Sequence, residues 1–464
     1  MPVPVLSVAQ MRQWEEATWA LGVTQESVMR RAGAALAGCA RRLTRPGDAV
    51  LVLAGRGHNG DDARFAAEDL GDRTVRLVNV SDPRTALAEA GSAPAALVVD
   101  GLFGIGLNRP LDAGWNELLR TVNARGLPVL AADVPSGLDA DTGEARGEVI
   151  RADVTVTFGA VKRGLLQPSA VPFVGRLELA HDIGLVRCPF PESDLNWTLA
   201  GDFDRFPPRR RVETHKGSFG HLVIVAGSEG YHGAAVLAAL GALRAMPGLV
   251  TVFTTQAAYL PVASQLAQAM VRPWKAGAAL PRSCSAVLFG PGLAGEDLPA
   301  DLKTETARLW RESELPVVAD ASALDWLPSG AVPSGAVRVI TPHPGEAARM
   351  LGRTTAHVQA DRPASLRELS VSRGDCWVVL KGHQTLVGRG DGPQFVNPTG
   401  NPGLAQGGSG DVLAGYIGGL LAQFPSADAT ALRYAAFQHG LAADELAARG
   451  GTWNVADLLA QLGS

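Results

Sequence analysis

The chain has 464 residues, a net charge of −4 and 46% hydrophobic side chains with few aromatics, which excludes a disordered polyelectrolyte and any surface built for nucleic acid. Domains of roughly 100 to 200 residues make two the expected number. The start MPVPVLSVAQMRQWEEA lacks a basic segment followed by an apolar core, and no run holds about 18 uninterrupted apolar residues, so neither export nor a membrane partner is expected. Cys39, Cys188, Cys284 and Cys376 are widely spaced without a C-x-x-C pair, which argues against a zinc knuckle or a disulfide framework and fits a reducing, cytoplasmic setting.

Residues 8–42 read as two helices broken near Gly22. The short runs AVLVLAG, VRLVNV, AALVVDG, LPVLAADVP and ADVTVTFG follow, each rich in Val and Leu and bounded by Gly, Pro or Asp. They predict parallel strands buried on both faces. RCPFPESDLNWTLAGDFDRFPPRRRV, residues 187–212, breaks the alternation with prolines and polar residues, and the boundary is placed between domains 1–205 and 206–464. Beyond it HLVIVAG, LVTVFT, SAVLFGPG, LPVVADA, VRVITPHPG and CWVVLKG restart the alternation, so the fold class is α/β with two domains.

Residues 55–62, GRGHNGDD, satisfy G-x-G-x-x-G after a strand, where a backbone can approach a pyrophosphate. A dehydrogenase would carry an acidic residue ending the second strand, whereas VRLVNV ends at Val80 with only Ser81 and Asp82 beyond. Asp61 adds a charge that is costly near a phosphate unless it points into solvent or meets a cation.

In the second half, NPTGNPGLAQGGSGDVLAG leads into a helical pattern. Gly407, Gly408 and Gly410 let several N–H groups converge at a helix N-terminus, an anion hole, and Asp411 in the first turn is placed to accept a proton from an attacking hydroxyl. Taken alone, Asp411 reads equally well as a residue balancing the helix dipole. His343 between two prolines also reads as a rigid turn residue, and Lys381 as a solvated strand end.

With HKGSFGHLVIVAGSEGYHGAAVLAALGALR, FGPGL, DASAL, TPHPGEAARMLG and KGHQT in the same order, this half resembles the NAD(P)H-hydrate dehydratases of the ribokinase-like superfamily. The resemblance implies a ribokinase-like α/β/α domain that uses ADP, or ATP, with magnesium to return hydrated NADH or NADPH to the intact cofactor, with Asp411 as catalytic base. It places the nucleotide along Lys381, Gly382, His383, Gln384 and Thr385 and along Asn401, Pro402, Gly403, Leu404, Ala405, Gln406, Gly407, Gly408, Ser409 and Gly410. Gly292, His343, Pro344, Gly345, Glu346 and Asp411 then face the hydrated substrate. DASAL departs from the family's D-A-D-A-L-N at Ser322 and Asp325, which are left out of the site.

The first half, through VMRRAGAAL, GRGHNGDDA, VVDGLFGIGLNRP, ADVPSGLDADTG and TVTFGAVKRGLL, resembles the NAD(P)H-hydrate epimerases, of Rossmann-like α/β/α fold. The dinucleotide is then a damaged substrate, held by His58, Asn59, Gly60, Asp61 and Asp62 and by Gly104, Ile105, Gly106, Leu107, Asn108, Arg109 and Pro110. By the same resemblance Asp133 acts on the damaged ring and Asn59, Asp100 and Ser136 hold potassium, whose charge offsets Asp61. The usual loop is G-x-G-N-N-G-G-D-G, and His58, Asp61 and Ala63 depart from it. Two alternatives stay open: a kinase of a hydroxymethyl heterocycle sharing the GGSGD hole, and an active dehydratase whose N-terminal domain only binds nucleotide. Expected partners are small molecules, with a homo-oligomer left possible.

Overall fold

The computed structural model describes residues 2–191, 193–333 and 335–463. Two compact units divide between Ser193 and Asp194. The division lies within the proline-rich stretch but ahead of the expected boundary at 205. Its cause is a short strand, Leu195–Trp197, which pairs with Gln394–Val396 and so commits the chain to the second sheet before the prolines at 207 and 208.

After β1 (Val3–Pro4), the first unit holds six strands: β2 (Ala49–Ala54), β3 (Thr74–Asn79), β4 (Leu97–Gly101), β5 (Val129–Ala132), β6 (Val154–Phe158) and β7 (Arg176–Ala180). They run parallel in the order β3-β2-β4-β5-β6-β7. The five runs read as strands become β2 to β6; β7 is an edge strand whose mixed sequence RLELA carries no buried pattern. The central strands β4 and β5 are buried along their whole length because helices cover both faces, as a parallel sheet requires. Two helices, Val8–Ala20 capped by Ser7 and Gln25–Leu43 capped by Thr24, are the expected pair, broken at Gly22 with φ +86°.

The second unit contains β8 (Leu195–Trp197), β9 (His221–Val225), β10 (Leu249–Thr254), β11 (Met270–Pro273), β12 (Ala286–Phe289), β13 (Val317–Ala319), β14 (Arg338–Ile340), β15 (Trp377–Leu380), β16 (Leu386–Gly388) and β17 (Gln394–Val396). Their order is β8-β17-β16-β15-β14-β13-β12-β9-β10-β11, antiparallel only where β16 meets β15 and β17. Its core helix Ser409–Gln423 crosses His232–Arg244 at backbone distance. A Cβ on Gly415 would stand 1.9 Å from the Ala238 carbonyl oxygen and one on Gly241 2.3 Å from that of Val412. Glycine is required at both positions. Among the described residues no helix is long and apolar enough to cross a membrane.

Candidate active sites

In the second unit β15, β14, β13, β12 and β9 are consecutive parallel neighbours, and the residues following their carboxyl ends gather as open α/β sheets dictate. Lys381 follows β15, His343 and Glu346 follow β14, Asp320 follows β13 and Gly292 follows β12. Lys381 Nζ donates to Asp320 Oδ1 at 2.8 Å and lies 3.9 Å from Glu346 Oε2. The ammonium also sits at the mouth of the glycine loop, since a Cβ on Gly410 would be 3.3 Å from it. Lys381 is therefore a partly buried, multiply paired cation, and the solvated strand end is not what forms.

Gly408, at φ +98°, turns the chain into the helix that carries Asp411 in its first turn. Burial, reinforced by the carboxylates of Asp320 and Glu346 and opposed by Lys381, pushes the Asp411 carboxyl up to about 7. Burial acting on Lys381 favours its neutral form, but Asp320, Glu346 and Asp411 together hold it above the ordinary lysine value, so it stays charged. Buried His439, pushed down to about 4 by desolvation, meets the Ser409 carbonyl through Nε2 at 3.0 Å as a neutral ring.

His343 is the N-cap of the helix Pro344–Leu351: its Nδ1 accepts from the N–H groups of Gly345 and Glu346, and Glu346 Oε2 accepts from the His343 N–H at 2.8 Å. The turn role and the site role therefore coincide, because the cap fixes Glu346 beside Lys381. Gly292, at φ +65°, has no room for a side chain: a Cβ there would stand 2.4 Å from the Tyr231 carbonyl oxygen, and the Gly292 carbonyl accepts from Ser228 Oγ. Asn401 Oδ1 caps the turn at Gly403 while its Nδ2 donates to Asp444, and Ser409 Oγ donates to the Leu404 carbonyl. The loop 401–410 is thus braced from within.

In the first unit the ends of β2, β4, β5 and β6 open onto a cavity of about 610 Å³. Its walls include His58, Asn59, Asp62, Gly104, Ile105, Gly106, Leu107, Asn108, Arg109 and Asp133; Gly60, Asp61 and Pro110 stand outside them. Gly60 instead serves the turn, where a Cβ would lie 2.0 Å from the Gly55 carbonyl oxygen. The helix His58–Asp69 begins inside the motif, so His58 to Asp62 form its first turn.

Asp61 meets a cation three residues on along its own helix: Arg64 Nη1 donates to Asp61 Oδ1 at 2.7 Å while Nη2 donates to the Gly55 carbonyl. The expected need for potassium to offset this charge is therefore removed. Asp100 is fully buried and accepts from Ser136 Oγ at 2.6 Å, the Ser136 N–H and the Leu102 N–H; burial still pushes it up to about 6. Asn59 Nδ2 donates to the Phe103 carbonyl at 2.8 Å, but nothing among the described residues donates to its buried Oδ1.

Asp133 adopts φ +61°, a strained value for a side-chain-bearing residue, and its Oδ1 accepts from Lys162 Nζ at 2.5 Å, Thr157 Oγ1 at 3.1 Å and the Phe158 N–H at 3.2 Å. Lys162 also donates to the Phe158 carbonyl and Thr157 Oγ1, which uses its three donors. One carboxylate oxygen is thereby saturated and the other is left to the cavity.

A family model described as NAD(P)H-hydrate dehydratase matches residues 222–462, and one described as YjeF-related protein N-terminus matches 25–93 and 74–164. The bifunctional NAD(P)H-hydrate repair enzyme of Gloeobacter violaceus is 38% identical over 96% of this chain and 94% of its own length. The chain belongs to the bifunctional NAD(P)H-hydrate repair enzymes. That of Escherichia coli is 36% identical over 94% of this chain and 88% of its own. A solved ADP/ATP-dependent NAD(P)H-hydrate dehydratase from Bacillus subtilis aligns with 55% of this chain and 91% of its own at 32% identity and a TM-score of 0.48.

As a member of this family the chain shows three site residues that reading the sequence missed. Asp320 heads the DASAL segment, and its carboxylate accepts from both Lys381 and Thr341 Oγ1, whereas Asp325 pairs with Arg349 at 3.5 Å. Lys162 was visible only as the one cation in VTVTFGAVK. Arg362, half-buried and pushed down to about 10 by desolvation, donates to the carbonyls of Leu380, Lys381 and His383 and so shapes the 381–385 turn from a distant helix.

Proposed function

We propose that the N-terminal unit interconverts the R and S hydrates of NADH and NADPH and that the C-terminal unit dehydrates the S form at the expense of ADP, leaving AMP and phosphate. The observation that carries this reading is Asp411, in the first turn of a helix beside the partly buried ammonium of Lys381, its carboxyl pushed up to about 7 by burial. Asp411 takes the proton of the ring hydroxyl as that oxygen attacks the terminal phosphoryl group. Hydroxide is a poor leaving group, phosphate a good one, and the ring nitrogen assists its departure. Loss of the neighbouring proton then restores the dihydropyridine. Lys381 and the N–H groups of 407–410 face the charge on the phosphoryl oxygens. Magnesium supplies charge neutralisation on the nucleotide phosphates when bound.

In the N-terminal unit the free oxygen of Asp133 faces a ring carbon bonded to nitrogen, so hydroxide leaves to an iminium-like centre and water returns on the other face. The orphaned Asn59 Oδ1, with Asp100 and the Ser136 hydroxyl, is an all-oxygen set that fits potassium, a hard cation of low charge. Held by these residues, potassium would supply positive charge next to the phosphate-facing loops.

Racemic hydrate mixed with the protein, magnesium and either ADP or ATP should regain dihydropyridine absorbance, with ADP the better donor. Absence of any gain with both nucleotides excludes the dehydratase. A stable phosphorylated product without NADH points to the heterocycle kinase instead.

A further inference from the structure

Three carboxyl groups line the cavity of the first unit: Glu15 on the helix Val8–Ala20, which is only half-buried, and two buried ones, Asp133 just after β5 and Asp62 in the first turn of the helix His58–Asp69. The surroundings of the two aspartates are opposite. Asp133 is ion-paired with Lys162 and accepts two further hydrogen bonds on the same oxygen. Asp62 is 7% exposed, and nothing among the described residues donates to its buried Oδ1. Two nearby cations are engaged elsewhere, Arg64 on Asp61 and the Gly55 carbonyl and Lys162 on Asp133, Phe158 and Thr157, while Arg12, Arg56 and His58 also line the cavity without a hydrogen bond to Asp62 among the described residues.

We propose that Asp62 is the acid of the epimerisation, a neutral carboxyl that protonates the departing hydroxyl, with Asp133 as the base that receives the proton of the returning water. The proposal rests on the epimerase reading given above and adds a second catalytic group to it. An unpaired buried carboxylate is far costlier than a neutral carboxyl, and a pair of acids in unlike environments divides into proton donor and acceptor. Burial first, then the negative charges of Asp133, Asp61 and Glu15, hold Asp62 well above the usual carboxylate range, with Lys162 alone acting against them.

The step balances. Breaking the C–O bond sends its pair to oxygen, the Asp62 proton completes a water molecule, and the ring nitrogen's lone pair forms C=N. Water adding to the opposite face forms the new C–O bond, the C=N pair returns to nitrogen, and Asp133 takes the released proton. The opposite epimer is converted with the two roles exchanged, and proton exchange with cavity water resets the pair.

The test gives the full chain pure R hydrate under conditions where spontaneous epimerisation is slow, and follows its loss by epimer-resolved chromatography. Asp62→Asn keeps shape and a hydrogen-bond donor but has no transferable proton. Its epimerisation kcat should fall about 100-fold or more with KM within about threefold. Dehydration of pure S hydrate should be unchanged. The wild-type kcat should decline as rising pH deprotonates the acid, a limb that the residual activity of Asp62→Asn lacks. A wild-type rate without that decline overturns the proposal whether or not the variant folds, as does a variant within threefold of wild type or one that loses only KM. A wild-type protein that leaves R hydrate unchanged overturns the epimerase reading and this proposal together.

Discussion

Replacing Asp411 by Asn should remove dehydratase activity and stabilise the C-terminal unit at the same time, because the same burial serves the first and opposes the second. The folded carboxyl titrates at about 7 against an ordinary 3.8, a displacement caused first by burial and then by the charges of Asp320 and Glu346. A raised carboxyl costs nothing below its unfolded value and lowers stability progressively as pH rises through the folded value. At pH 8 the full difference of about 3 units applies, and at pH 5 only about 1. Each unit corresponds to ~1.4 kcal/mol, and discounting for partial solvent access leaves a net gain of roughly 1 to 2 kcal/mol for the uncharged amide at pH 8. For a unit of this size that is an increase in Tm of roughly 2 to 6 °C, measured by calorimetry on the intact chain at both pH values. Turnover of S hydrate with ADP should fall by a factor of about 100 to 10,000, with nucleotide binding retained. Near-normal turnover removes Asp411 from the role of base. A Tm gain equal at pH 5 and pH 8 refutes the electrostatic origin of the strain.

Lys162→Met leaves Asp133 buried beside an apolar chain; epimerisation should be lost and the N-terminal unit destabilised by about 3 to 5 kcal/mol, read by denaturant melts, while dehydration of S hydrate persists. Asp61→Gly restores the usual loop residue and removes only a half-exposed pair with Arg64, so stability should change by less than about 1 kcal/mol and the epimerase KM by less than about threefold; a large gain in rate contradicts the Arg64 account. Exchanging potassium for tetramethylammonium, which carries the same charge without accepting close oxygen ligands, should slow epimerisation and leave dehydration of S hydrate in place. Equal epimerisation rates in both salts remove the proposed ion.

The strands β2, β4 to β6, β9, β10 and β12 to β15 were legible because a strand buried on both faces needs an uninterrupted apolar run, whereas β3, also read as doubly buried, is a largely exposed edge strand. The strands β7, β8, β11, β16 and β17 were not: β7 and β11 are edges with little hydrophobic pattern, and β8, β16 and β17, at three residues each, are too short to show one. Site residues were legible where a local constraint marks them. GGSGD must turn at Gly408 to open a helix, and TPHPGE caps one while aiming Glu346 inward. Asp320, Lys162 and Arg362 carry no such mark. What distinguishes them is the company they keep across 61, 29 and up to 21 residues of chain, with Lys381, Asp133 and the 380–383 carbonyls. Asp61 differs: its partner Arg64 is only three residues on, and what the fold adds is that this side chain turns back onto it. Sequence determines which groups are present and which local turns they can make. The direction of a pKa shift, and hence which carboxyl gives a proton and which takes one, follows from burial and from partners that only the folded sheet brings within a few ångströms.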